Sequence, residues 1–428
     1  MYFVETHKIN LNHPFYDEID DLCFKAKNLY NKANYIIRQE FISTTTLKEY
    51  GYADNAVYFN YQSIRRLLID SDEYKSLPRK VSNQVLMKLD RNWTSFFRSI
   101  KDWVCSPQKY LGKPNLPKYL NKKAGRYGLE YELGAISQKA LKKGFIKLSK
   151  TDIAVPFLHK DCKLIQARIV VITGGYKLET IYEQKEKERK LDNGRHIGAD
   201  PGVNNLLTLT SDAKDYHPKI VNGRPVKSIN QYYNKRLAKY QSELPKGIYS
   251  SKKIRKLTFD RNNKIENFFC KCAVLVLKEC LDNNINTFII GKNINWKQRL
   301  DIGKENNQKF HEIPFCKLFD KIKYKLAFEG ITVIETEESY TSKASFLNLD
   351  EIPTYKKGEE NNHKFSGYRE SRSWYKIRNQ KTRINADVNG SYNIIRKVFP
   401  NAFADGIEGF AVIPSVNKIQ KRDGKLFF

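Results

Sequence analysis

The sequence lacks the marks of several protein classes. No apolar run approaches the ~18 residues of a membrane span, and the opening MYFVETHKIN carries no charged-then-apolar leader. A cytoplasmic protein with no membrane partner is expected. Cysteine is sparse and poorly arranged for cross-linking. Cys23, Cys105, Cys162, Cys270, Cys272, Cys280 and Cys316 form an odd set without a CxxC pair, so neither a disulfide framework nor a zinc ribbon is indicated. Most read as small core residues. Acidic residues are also in short supply: 47 aspartates and glutamates stand against 76 lysines and arginines, a formal net charge of +29 that requires a polyanion. The charge is spread along the chain, and 40% hydrophobic with 13% aromatic residues is too rich for a disordered polycation. At ~150 residues per domain, 428 residues suggest about three domains with a large buried core.

After a first short strand within 1–13, residues 14–106 read as helices. Val81, Val85, Leu86, Leu89, Trp93, Phe96, Phe97 and Ile100 recur at steps of three and four, a core face rather than a binding box. The helix should stop near Ser106-Pro107. The segment 107–128 mixes prolines with Lys109, Lys113, Lys118, Lys122, Lys123 and Arg126, either as a solvated loop or as one that faces phosphates. From 145 to 183 the period changes to two, and Gly174-Gly175 marks a hairpin turn, so 107–182 reads as a small β domain. The alternating charges of EQKEKERK, within 183–190, suit a linker.

The last domain, 191–400, opens with HIGADPGVNNLLTLTSD, a strand, a Pro-Gly turn and a second strand, before a basic helical region at 226–284. NTFIIGKN (286–293), a helix around 315–329 and ITVIETEE (331–338) make a β-α-β unit, which implies parallel neighbours and a right-handed crossover. The fold class expected is thus α/β multidomain with a mixed sheet. Residues 401–428 read as a C-terminal tail of unassigned role.

Three acids stand where strands or strand-to-helix turns end: Asp200 in GADPGVNN, Glu338 in ETEESYTSK and Asp387 in INADVNGSYNII. Two Mg²⁺ ions about 4 Å apart need shared carboxylates, which the end of one sheet can supply. Each acid also has a plain structural reading. Asp200 could shape the Pro-Gly turn, Asp387 could cap the helix 388–398, and Glu338 could be a surface acid. Spacing alone leaves both readings open.

The strings IGADPGVNNLLTL, KSINQYYNKRLAKYQ, FIIGKNINWKQ, EESYTSKASFL and INADVNGSYNI resemble successive blocks of the transposon-encoded OrfB/TnpB family, relatives of the type V CRISPR effectors. LCFKAKNLYNKANYIIRQEF, LDRNWTSFFRSIKDW and KYLGKPNLPKY extend the likeness to the N-terminal half. The resemblance implies a wedge-type β domain with a helical recognition insertion, then a RuvC-like nuclease domain of RNase H fold. It also implies a guide RNA as partner and double-stranded target DNA cut beside a short flanking motif. An RNA scaffold plus a heteroduplex accounts for +29 better than one DNA duplex would. One protein copy per RNA is slightly favoured.

By the same resemblance, Asp200 matches the first catalytic aspartate and Asp387 the last, with Asp200 bridging both ions. Two departures stand out. Members of the family usually end the fourth strand with a glutamate, where this chain has Gly291. Some carry it before the SYTSK block, here Glu338. If strand 331–338 lies beside 286–291, its end is two strands, about 10 Å, from Asp200, and a long side chain crossing a glycine could close much of that gap. Glu337 is the rival, since adjacent strand residues point to opposite faces, and Glu338 is preferred. The second departure is the insertion 339–386, where many members carry a four-cysteine zinc ribbon and this chain has no cysteine. A zinc-free nucleic-acid-binding loop or lid is expected there, with Tyr340, Lys343 and Arg369 among its contacts, although a solvated basic loop remains open.

Trp296, Lys297 and Gln298 could stack on or clamp nucleic acid, or the tryptophan could be buried. Tyr30, Asn31, Tyr35 and Arg38, at helical spacing, could read the flanking motif or pack the core. Cys270 and Cys272, two apart on a helix, do not face each other and make no metal site. The expected function is Mg²⁺-dependent, RNA-guided cutting of double-stranded DNA. A nuclease-dead guided repressor, a CRISPR-associated effector and a strand transferase acting without RNA are the alternatives.

Overall fold

The computed structural model describes residues 2–51, 56–159, 161–185, 187–292, 304–355, 363–417, 420–422 and 425–427. Two compact units divide the chain, 1–185 and 186–428. In the first, β1 (Tyr2–Ile9), β2 (Leu129–Glu132), β3 (Lys163–Ile172) and β4 (Gly175–Glu183) form an antiparallel sheet in the order β1-β4-β3-β2. Gly174 takes φ +86° in the two-residue turn between β3 and β4, a left-handed geometry that the tight hairpin requires. Between β1 and β2 run α1 (Tyr16–Glu49) and α2 (Arg79–Cys105). The face of α2 read from the sequence buries Val81, Val85, Leu86, Leu89 and Trp93, and the Trp93 indole donates to Asn34 Oδ1 at 3.0 Å. The helix stops two residues before Pro107.

The second unit is built on a mixed sheet. Its strands β5 (His196–Pro201), β6 (Asn205–Ser211) and β7 (Lys219–Asn222) form an antiparallel meander. Helices α3 (Arg224–Ser242) and α4 (Lys252–Asp282) follow. Next come β8 (Thr287–Gly291), α5 (Phe315–Phe328) and β9 (Thr332–Thr336), the expected β-α-β unit with β9 parallel to β8 and β8 parallel to β5. Three short strands, β10 (Gly367–Arg369), β11 (Trp374–Ile377) and β12 (Arg383–Asn385), make a separate antiparallel sheet. After α6 (Ala386–Val398), β13 (Ser415–Asn417) pairs with β7, so the large sheet runs β9-β8-β5-β6-β7-β13.

Strand alternation assigns its faces. Ile197, Ala199, Phe288 and Ile290 pack with α4 and α5, whereas Ile289 packs with α6. The segment after Pro400, read as a tail, is in part core. Phe403 and Phe410 pack edge-on against Tyr392 and Phe346, and β13 extends the sheet. Among the described residues no helix is long and apolar enough to cross a membrane.

One buried charge cluster fixes the start of β5. The His196 ring is stacked at 3.8 Å on Phe399, with Nδ1 paired to Asp212 and Nε2 3.0 Å from Asp192. Burial disfavours the charged ring, but the two carboxylates outweigh it and hold the imidazole above its ordinary value. A raised histidine stabilises the fold below its unfolded pKa of ~6.5, and that contribution is lost as pH rises through the folded value. Against His196→Gln, the wild type should therefore be more stable by about 1.5–3 kcal/mol near pH 6. The gap should shrink as pH is raised toward 9 in denaturant melts, and a gap that widens instead would contradict the charged pairing.

Candidate active site

The three acids come from separate blocks of the sequence and meet at one end of the large sheet. Asp200 is the penultimate residue of β5, on the α6 side, since its neighbour Ala199 faces α4 and α5. Gly291 ends β8 one residue beyond the Ile290–Ala199 pair, and so stands beside Asp200. A Cβ at Gly291 would lie 3.0 Å from Glu338 Oε2 and 2.6 Å from Ile394 Cδ1. Glu338 thus reaches from beyond β9 across the space that a side chain at 291 would fill. A Cβ at Gly390 would lie 3.0 Å from Asp200 Oδ2, so α6 also presents a glycine to the site.

Asp387 lies in the first turn of α6 without serving as its cap. Asn385 is the N-cap, its Oδ1 accepting from the backbone of Asp387 at 3.1 Å and of Val388 at 3.2 Å. The Asp387 carboxylate is left to accept from Asn205 Nδ2 at 2.6 Å and from the Arg369 guanidinium at 3.2 Å. Glu337 turns elsewhere, to Lys397 and to Ser339.

Desolvation pushes Asp200 well above the usual carboxylate range. The negative charges of Glu338 and Asp387 push it further, and Arg369 pulls the other way. Among the described residues, no three carboxylate, imidazole or thiolate groups are arranged as they stand to hold a metal. Among the described residues, Arg369 supplies positive charge that opposes the shift at Asp200. The donor set nevertheless fits a hard divalent cation: three carboxylates within one another's field, two of them cradled against glycines where a side chain would intrude. Asn205 and Arg369 complete the surroundings of Asp387. Sequence reading assigned Arg369 only to nucleic acid and missed Asn205, whose one signal is its place just after the Pro-Gly turn.

The other candidates separate by exposure. In the first unit, Asn31 bonds both the N–H and C=O of Leu120 at 2.9 Å, Tyr30 donates to Lys118 O, and Arg38 donates to Pro117 O while stacking on Tyr119. All three tie the 117–120 segment to α1, whereas Tyr35 is exposed. Lys109, Lys113, Lys118, Lys122 and Lys123 are exposed, and Arg126 is paired with Asp20. In the second unit, Tyr340 meets His363 edge-on and Phe365 at a tilt, with the exposed Lys343 over its ring. Cys272 is buried and Cys270 exposed. Trp296, Lys297 and Gln298 lie outside the described residues.

The OrfB_IS605 family model, described as a probable transposase, matches residues 179–297, a span that contains Asp200 and Gly291. A Cas12f1-like TNB domain model matches 315–394, which contains Glu338, Arg369 and Asp387. Over these two spans, which together cover a little under half of the chain, it is similar to the OrfB_IS605 probable transposases and to Cas12f1-like proteins. Among solved structures it is similar to a Cas12f1–sgRNA–target DNA complex, with 16% identity, TM-score 0.34, and coverage of 92% of this chain and 98% of that one. It is also similar to a CRISPR-Cas12f ternary complex, at 13% identity and TM-score 0.34 over 87% and 81% of the two chains. A third match is Alicyclobacillus acidoterrestris C2c1 with single-guide RNA, at 7% identity and TM-score 0.37 over 90% and 70%. No curated protein matches the chain.

The crowding of negative charge at Asp200 is testable without any substrate. In EDTA, Asp200→Asn should be at least as stable as the wild type, because one of three repelling carboxylates is gone. Millimolar Mg²⁺ should raise the wild-type melting temperature by several degrees, in keeping with ~2–3 kcal/mol at about 100 times the dissociation constant. The variant's should stay put. An equal Mg²⁺ response in both would exclude Asp200 as a ligand.

Proposed function

We propose that the chain is an RNA-guided DNA endonuclease in which Asp200, Glu338 and Asp387 hold Mg²⁺. The observation that carries this reading is the desolvated Asp200 carboxylate, set between two further carboxylates and two glycines at one sheet end. Such a concentration of hard negative donors is matched by a divalent cation. The large sheet supports a RuvC-like assignment: its order β9-β8-β5-β6-β7, with β6 antiparallel and β13 added at the edge, suits an RNase H fold. The net charge of +29 supports polyanionic partners, a guide RNA and the target DNA. By the same reading, the antiparallel sheet of the first unit is the wedge domain, helices 14–106 are the recognition insertion, and 339–386 is a zinc-free nucleic-acid-binding insertion.

When bound, Mg²⁺ supplies Lewis-acid polarisation of a phosphodiester and lowers the pKa of attacking water. The protein's own groups do the rest. Asn205 holds Oδ2 of Asp387, while Oδ1 accepts from Arg369. Arg369 would exchange Asp387 for a phosphate oxygen, to which a guanidinium is geometrically suited. Desolvation around Asp200 strengthens each of these electrostatic contacts.

The test is to co-express the chain with its native flanking DNA and purify the ribonucleoprotein. It is then given plasmids bearing the matching target beside randomised bases. Double-strand cuts beside one enriched motif, present in Mg²⁺ and absent in EDTA, are expected. Asp200→Ala should slow cutting at least ~10³-fold, about 4 kcal/mol of barrier, while target binding persists. Cutting without RNA, or motif-dependent binding with no cut in the wild type, would overturn the proposal.

A further inference from the structure

Glu338 stands in a weaker place than its partners. Asp200 is in a strand ladder and Asp387 in a helix, but Glu338 lies two residues past the end of β9, on a loop. A carboxylate there needs other restraints to stay over Gly291. Three side chains at i, i+4 and i+8 of α6 provide them, on one stripe of the helix.

Asn393, fully buried, donates through Nδ2 to Thr341 O at 2.9 Å and to Ala344 O at 2.8 Å. Asn389, also fully buried, donates to Ala344 O at 2.8 Å and accepts from Phe346 N at 2.9 Å. Thr341, gripped in this way, donates from its hydroxyl to Glu338 O at 2.9 Å. On the other flank Lys397 binds the Glu337 carboxylate and lies 3.2 Å from Ser339 Oγ. Between the two anchors Tyr340 takes φ +62°, a left-handed conformation that non-glycine residues keep only where their surroundings impose it.

We propose that Asn389, Asn393 and Lys397 are positioning residues that hold Glu338 over Gly291, replacing the support that an acid at the end of β8 would draw from the strand itself. The inference rests on the reading of Asp200, Glu338 and Asp387 as metal ligands. Its test is direct binding of Mn²⁺ to the full chain, followed by electron paramagnetic resonance, with no turnover involved.

Asn393→Ala should weaken Mn²⁺ binding about tenfold, and Glu338→Ala by at least as much. Because Asn393 acts through Glu338, the double variant should bind no more weakly than Glu338→Ala alone. A further tenfold loss in the double variant, or wild-type affinity in Asn393→Ala, would overturn the proposal. Should Asn393→Ala fail to fold, Asn389→Ala, which keeps the Asn393 bonds to both carbonyls, takes its place with the same non-additivity expected. Asp200→Asn separates the two readings. Undiminished Mn²⁺ binding there rejects the carboxylate site itself, whereas binding lost there but intact in Asn393→Ala rejects the positioning role alone.

Discussion

Like charges held together in a poorly solvated corner cost free energy that rises as water is removed, and the second unit is organised around that constraint at the end of β5. Asp200 cannot leave, because it belongs to a central strand of the sheet. Asp387 cannot leave, because the helix that carries it is packed across that sheet. What can vary is the counter-charge. In this structure it is the Arg369 guanidinium against Asp387, and a divalent cation would satisfy the same field more fully.

Helix α6 is where core packing and site geometry become one problem. Val388, Tyr392, Ile394 and Ile395 are buried among apolar neighbours, and the polar Asn389, Ser391 and Asn393 are buried with them. Ser391 Oγ lies 2.9 Å from Gly198 O and 3.0 Å from Thr208 O, joining the helix to β5 and β6. Buried amides and hydroxyls are tolerated only when their bonds are made. Here the partners are carbonyls of the strand that carries Asp200 and of the loop that follows Glu338. The helix that contributes the third acid thereby registers the other two.

The insertion between β9 and α6 is held together by a small apolar core and by hydrogen bonds between its turns. Tyr375, Ile377 and Ile384 form its buried side, and the Tyr375 hydroxyl donates to Lys343 O at 2.8 Å. Asp350 accepts from the backbone of Ser345 and of Ser366, both at 2.9 Å, pinning two distant turns. A carboxylate and a tyrosine hydroxyl at turn ends thus close a small sheet through hydrogen bonds to backbone.

Much of this could be read from the chain. The period of α2, the Gly174 hairpin and the β-α-β unit around β8 and β9 follow from local patterning, because burial of one face imposes a repeat on the residues themselves. Asp200 and Asp387 were legible because their blocks combine a strand end or helix start with an acid. The division between Glu337 and Glu338 was not, since neighbouring acids in an irregular loop differ only in what they meet, and Lys397, 60 residues on, decides it. Nor could helical spacing say that Asn31 and Arg38 would tie down 117–120, or that Phe403 and Phe410 would be core rather than tail. Composition, periodicity and strand-end acids are properties of short stretches, and the sequence by itself determined those. Which acid crosses Gly291, and which cation pairs with Asp387, depends on contacts between segments remote along the chain, and only the tertiary structure decided them.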